Sequence, residues 1–158
     1  IVTDDETLAK RAKHLTTTAK VPHPYEYEHN EIGYNYRMPN LNAALLCAQL
    51  EQIDNFLDSK RELASKYEKF FQGFKHINFL NEPINSHSNY WLNAILFQDK
   101  QQRDAFLEFS NANGVMSRPI WKLMSELEMF KNAQQDELRN SKYLSQRVVN
   151  IPSSVRVS

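Results

Sequence analysis

Residues 33–37 read Gly-Tyr-Asn-Tyr-Arg, followed by Met38-Pro39-Asn40 and a run with the three-and-four apolar spacing of a helix. Each of these side chains brings something an anion can use. The Arg37 guanidinium is a planar fork matched to phosphate oxygens, and Asn35 donates through its amide. Tyr34 and Tyr36 pack beside a flat ring or donate a hydroxyl, while Gly33 lets the backbone approach closely. The first N–H groups of a helix lack intrahelical partners, and its dipole is positive there. The pentad therefore predicts an anion site at a helix start, with a cofactor phosphate as the anion. A second reading stays open: Asn35 stabilises a turn and Arg37 pairs with a carboxylate.

Other groupings carry less. His23, Glu26, Glu28 and His29 share a loop but lack helix-borne ligand spacing, so they read as exposed loop residues and no metal is expected. Ser86-His87-Ser88 has neither a nucleophile elbow nor a third member. Cys47 lies among Ala44, Leu45, Leu46 and Ala48 and reads as a small core residue in a reducing compartment. Lys60, Arg61, Glu62 and Lys66 read as a solvated helix face. Tyr90, Trp91, Phe97, Phe106 and Phe109 read as core.

The elements that must position these residues follow from the pattern. An acidic lead and a basic close predict a helix from Asp4 or Asp5 to His14. The stretch from Leu15 to Pro39, with three prolines and one glycine, is a long functional loop. One helix is expected from Pro39–Asn40 to about Phe71 or Gly73. At roughly 30 residues it would span about 45 Å and so connect two bodies. Strands are expected at Ile77–Leu80 and Tyr90–Phe97, a helix from Asp99 to Gly114, and a strand at Val115–Arg118. A loop carries Trp121 and Met124, a further helix runs from Asp136 to Arg147, and a last strand from Val148 to Pro152. The second half thus reads as a compact α+β unit.

Composition limits the function. The chain has 158 residues, 41% hydrophobic and 24% charged, so a buried core is within reach. Lysine plus arginine balance aspartate plus glutamate, 19 against 19, which argues against non-specific nucleic-acid binding. No apolar run reaches the roughly 18 residues of a membrane span, and a cytoplasmic location is expected. Only three glycines occur, so Gly-rich phosphate loops are excluded. The opening Ile-Val-Thr-Asp-Asp-Glu reads as the interior of a longer protein.

The run Gly33–Met38, with Ala43-Ala44 and Gln49-Leu50 at fixed distance, resembles the signature of the DegT/StrS-type nucleotide-sugar aminotransferases, fold-type I enzymes that use pyridoxal 5'-phosphate. Residues 1–15 resemble the segment after that family's Schiff-base lysine, and residues 147–154 its closing strand. The runs at 16–23, 117–121 and 148–154 resemble the branch acting on UDP-linked 4-keto-6-deoxy amino sugars. The resemblance implies an α+β architecture in three parts. Residues 1–39 end a large cofactor-binding domain, 40–73 form the long connecting helix, and 74–158 form a small carboxy-terminal domain.

It further implies that Asn35 and Arg37, with Tyr34, approach the cofactor phosphate or the substrate of a neighbouring subunit across a homodimer. Arg118 and Trp121 would approach the sugar nucleotide, although a histidine that many relatives carry slightly later is absent. The implied activity is transfer of an amino group from glutamate to a nucleotide-linked keto sugar in surface-glycan biosynthesis. The family's lysine would lie upstream of Ile1, so these residues alone are expected to be inactive, with no catalytic residue of their own. Two rival expectations are a non-catalytic interaction module built on the long helix and a sugar-nucleotide sensor on the same fold.

Overall fold

The computed structural model describes residues 2–155. Its elements are α1 (Glu6–Thr16), α2 (Asn40–Leu50), α3 (Ile53–Phe71), β1 (Ile77–Phe79), β2 (Asn93–Phe97), α4 (Lys100–Ala112), β3 (Arg118–Pro119), α5 (Arg139–Ser145) and β4 (Val148–Ile151). Two 3-10 turns, Met124–Glu126 and Glu128–Phe130, precede α5. The elements fall into two compact units, Ile1–Glu51 and Gln52–Ser158. Helices with a small antiparallel sheet make the α+β class that the sequence implies.

In the first unit α1 begins where Asp5 can cap it: its carboxylate accepts from Leu8 N at 2.9 Å. Lys13 and His14 close the helix at its negative end. Arg11 forms a two-pronged ion pair with Glu31, and His14 Nε2 lies 2.8 Å from Asn30 Oδ1. These contacts tie the long loop back onto α1.

The single helix expected over residues 40–73 is two helices. Gln52 leaves the helical basin at φ −113° and ψ 8°, a break that no proline or glycine announces. The two pieces differ in kind. No charged residue occurs in α2, and its Leu41, Leu45 and Leu50 are exposed, as is Cys47, which is no core residue. By contrast α3 is amphipathic and buries Ala64.

The second unit is built on a sheet in the order β1-β2-β4-β3, all pairs antiparallel. Register places Ile77 opposite Phe97, Phe79 opposite Ile95, and Ile95 opposite Val149. Alternation along the strands then gathers Ile95, Phe97, Val149 and Ile151 on one face, buried with Tyr67 and Phe71 from α3 and Phe106 and Leu107 from α4. Asp99 caps α4 by accepting from Gln102 N at 2.8 Å. Asn93 sits on the same face at 1% exposure, its side-chain amide without a partner among the described residues.

Lys60 and Arg61 do not belong to a solvated face, as their types suggest. Arg61 grips Glu82 with both terminal nitrogens, at 3.1 and 2.7 Å, and also donates to Ser88 O at 2.5 Å. Glu82 in turn accepts from Ser88 N at 2.6 Å. Lys60 Nζ donates to Ser153 O at 2.6 Å and to Trp91 O at 3.5 Å. One turn of α3 thus fixes the loop before β2 and the chain after β4. Within that loop Tyr90 adopts a left-handed backbone, φ 43°, which costs a bulky residue on the order of 1–3 kcal/mol. Trp91 follows it out to 64% exposure and Phe109 reaches 69%, so neither is the core residue that aromatic content suggests.

Truncation of Ile95 to alanine is expected to cost about 3 kcal/mol, read from denaturant unfolding. The Arg61 guanidinium and the Ser88 N–H pull the Glu82 carboxyl down from its ordinary 4.5 to about 2. Because the folded value is the lower one, this stabilisation is complete above about pH 4.5 and fades as the pH falls toward 2. Melting temperatures of wild type and Glu82→Gln should therefore differ at pH 7 and converge only as the pH falls through about 2; a constant gap would contradict this clamp.

Candidate functional site

Two places gather the chemistry-bearing residues, one in each unit. In the first, the chain turns sharply after α1 through Thr18 and Ala19, both left-handed at φ 70° and 50°. The returning strand then pairs with the end of α1. Tyr34 N donates to Leu15 O at 2.7 Å and Tyr36 N to Thr16 O at 2.9 Å, and Asn35 stands opposite Thr17. Gly33 is required by this approach: a Cβ there would overlap the Thr18 and Ala19 backbone and come within 2.9 Å of Ala19 Cβ.

Asn35 is therefore placed by strand-like pairing and not by a helix start. Helix α2 begins only at Asn40, with Pro39 extended as its N-cap at φ −60° and ψ 146°. A residue before proline avoids the helical basin, so Met38 cannot be drawn into the helix. The residues expected at a helix terminus lie instead where two loop segments meet. Arg37 Nε donates to Asn35 Oδ1 at 3.1 Å, which orients the guanidinium. Arg37 lines an open pocket of about 570 Å³ with Thr17, Lys20 and His23.

Among the described residues no carboxylate lines that pocket and Arg37 has no ion-pair partner. Lys20 Nζ lies 3.6 Å above the Tyr27 ring, and His23 Nδ1 accepts from Glu26 N at 2.9 Å. Two permanent cations beside a hydroxyl suit a phosphate dianion. Tyr34 and Tyr36 stack at 5.4 Å and 16° with much of both rings exposed, which leaves a face beside which a flat ring can pack. The donor set thus fits the phosphate end of a cofactor. Sequence reasoning missed Lys20 and Thr17, which lie 17 and 20 residues before Arg37 with no periodicity to link them. The strained turn at Thr18–Ala19 brings them there.

The second place is in the sheet unit. Arg118 opens β3 opposite Asn150, and its guanidinium donates to Met116 Sδ at 3.3 Å. Arg118 and Trp121, both singled out from the sequence, line one pocket of about 590 Å³. Trp91 joins them there, its ring 6.3 Å from that of Trp121 and inclined by 28°. Met116, Asn150 and Ser153 also line it, and among the described residues Arg118 is the one charged residue in its walls. A roomier cleft of about 840 Å³ lies between the 3-10 turns and α5, but its charged wall is Asp136, which would repel an anionic substrate. Among the described residues no helix is long and apolar enough to cross a membrane, and no three acidic, histidine or cysteine side chains converge as metal ligands.

These features define a class. The model of the DegT/DnrJ/EryC1/StrS aminotransferase family matches residues 1–158, and the chain belongs to that family. Its enzymes depend on pyridoxal phosphate. GDP-perosamine synthase of Escherichia coli O157:H7 is 31% identical over 153 residues, 97% of this chain and 41% of that protein. Helicobacter pylori PseC, an aminotransferase of pseudaminic acid biosynthesis, superposes with a TM-score of 0.86 at 19% identity, over 99% of this chain and 43% of its own. The sugar aminotransferase Spr1654 of Streptococcus pneumoniae, in its pyridoxal-phosphate form, gives 0.79 at 20% identity over 99% and 41%. The fold is thus that of part of a fold-type I sugar aminotransferase, and the chain spans about two fifths of the length of these relatives.

Gly33→Ala is expected to unseat the 33–36 strand from α1. Overlap with backbone costs at least the roughly 1–3 kcal/mol typical of overpacking. Limited proteolysis should cut the Thr16–Arg37 segment several-fold faster in the variant, and an unchanged rate would show that the close approach is dispensable.

Proposed function

We propose that the full-length protein is a pyridoxal-phosphate aminotransferase. On this reading it moves an amino group from glutamate to a UDP-linked 4-keto-6-deoxy amino sugar, in the cytoplasm, during surface-glycan biosynthesis. Residues 1–39 end the cofactor-binding domain and carry the dimer loop, 40–73 connect the domains, and 74–158 form the small domain. The observation that carries the site assignment is the Arg37 guanidinium, oriented by Asn35 and left without a counter-anion beside Lys20.

In this role Arg37 would hold the cofactor phosphate as a planar, permanently charged donor. Asn35 aims it and offers its own amide, and Tyr34 supports the site from the stacked pair. The recipient cofactor belongs to a second copy, so that the working enzyme is a homodimer with shared sites. When bound, pyridoxal phosphate supplies the electron sink for moving the amino group. The lysine that attaches it belongs to the upstream part of the protein, so the 158 residues alone do not turn over. Arg118 pairs with the substrate's phosphates and Trp121 packs against it. The exposed apolar residues of α2 favour a second reading, in which the first unit is an association module; a nucleotide-sugar sensor on the same fold would bind substrate without turnover.

Full-length protein loaded with cofactor should convert between its aldehyde and amine absorbance bands on addition of glutamate, then back on addition of the keto-sugar nucleotide. Asn35→Ala with Arg37→Ala should weaken cofactor retention in dialysis by roughly tenfold or more. Retention equal to wild type would favour the association module, and substrate binding without spectral change would favour the sensor. Treating the 158-residue chain with pyridoxal phosphate and borohydride should label no lysine stoichiometrically; one fully labelled lysine would refute its predicted inactivity.

A further inference from the structure

We infer that Trp91, together with Trp121, forms the platform on which the base of a nucleoside diphosphate stacks, with Arg118 taking the diphosphate. This rests on the substrate reading above and adds to it a recognition residue that the strand pattern hides. Trp91 has the same parity as Asn93, Ile95 and Phe97, the inward-facing positions of β2. Regular continuation of that strand would send its indole to the core side. The left-handed turn at Tyr90 breaks the alternation and delivers the ring to the surface instead.

The turn is held from several sides. Tyr90 N donates to Ser88 Oγ at 3.0 Å, Trp91 N donates to Asn89 Oδ1 at 2.9 Å, and Glu82 N donates to the Tyr90 hydroxyl at 3.3 Å. The Arg61 guanidinium lies 5.5 Å from the Tyr90 ring centroid. Strain maintained by this many contacts, to take a large apolar ring out of a core, marks a working position. What the ring meets there identifies the ligand chemistry. The two indoles are 64% and 69% exposed and near-parallel, presenting flat π-faces that accept any base. Beside them Arg118 has no carboxylate partner among the described residues, and its one hydrogen bond goes to a thioether, a weak acceptor. Among the described residues no acid lines the pocket, and its 590 Å³ is within the range of small-molecule sites. A flat aromatic group joined to a dense negative charge satisfies both halves; a purely apolar partner would leave the guanidinium unmatched.

The test uses full-length protein loaded with cofactor, titrated calorimetrically with UDP, GDP and dTDP and, separately, with inorganic pyrophosphate. Trp91→Leu is expected to weaken the nucleoside diphosphate that binds best by roughly tenfold while leaving pyrophosphate unchanged. Trp91→Phe, which keeps a stacking face, should recover most of that loss, and Arg118→Gln should weaken nucleotide and pyrophosphate alike. Melting temperature confirms that each variant is folded. Nucleotide binding by Trp91→Leu within twofold of wild type would overturn the inference, and so would equal losses for nucleotide and pyrophosphate. If Trp91→Leu still aminates the keto-sugar nucleotide with an unchanged KM, the platform falls and the aminotransferase stands. If the nucleotides bind through Trp91 but no amino transfer occurs, the platform stands and the aminotransferase falls.

Discussion

Adjacent cations on one turn of α3 hold the second unit in its working shape. Arg61 closes the loop from Glu82 to Ser88 by pairing with the carboxylate at one end and the carbonyl at the other. Lys60 fastens the chain after β4 through Ser153 O, and Ser153 Oγ in turn accepts from Asn93 N at 2.7 Å. The Trp91 and Ser153 sides of the tryptophan pocket therefore hang from the same helix. The hydrophobic face beneath supplies cohesion, but it does not determine where Trp91 goes. That depends on partly buried, charge-assisted hydrogen bonds, stronger than neutral ones and more directional than apolar contact.

The two candidate places share one electrostatic design. Each keeps a guanidinium, Arg37 or Arg118, free of carboxylates among the described residues, although acids and bases are equal in number along the chain. Glu31, Glu82 and Asp104 are each committed to arginines elsewhere, namely Arg11, Arg61 and Arg103. Neutrality overall and positive charge locally are compatible because these acids pair with other arginines. Each place also borders a left-handed non-glycine residue, Ala19 in one and Tyr90 in the other. In a chain with three glycines, sharp reversals fall on residues that resist them.

Much of this was legible beforehand, for reasons that can be named. Acid-to-base polarity located α1, apolar runs located β2 and β4, and the amphipathic stretch ending at Gly114 located α4, because each signal is local and the structure uses it locally. The run from Gly33 to Met38 pointed to the family that the whole chain matches. Three things were hidden. The break at Gln52 has no sequence mark, since backbone dihedrals there change without proline or glycine. Lys60 and Arg61 looked solvated because helical charge is usually outward, and only the loop ending at Ser88 makes them inward. Trp91 looked like core because parity cannot anticipate a left-handed residue next door.

Helix α2 has a practical consequence for bench work. Eleven consecutive residues without a charge, with Leu41 at 81% and Leu50 at 65% exposure, make a sticky rod. In the isolated 158-residue chain such a surface favours clumping as concentration rises, and its near-neutral pI of about 7.1 removes the repulsion that would oppose it. Buffers well away from neutrality, or charged substitutions along that rod, are the natural route to a well-behaved sample.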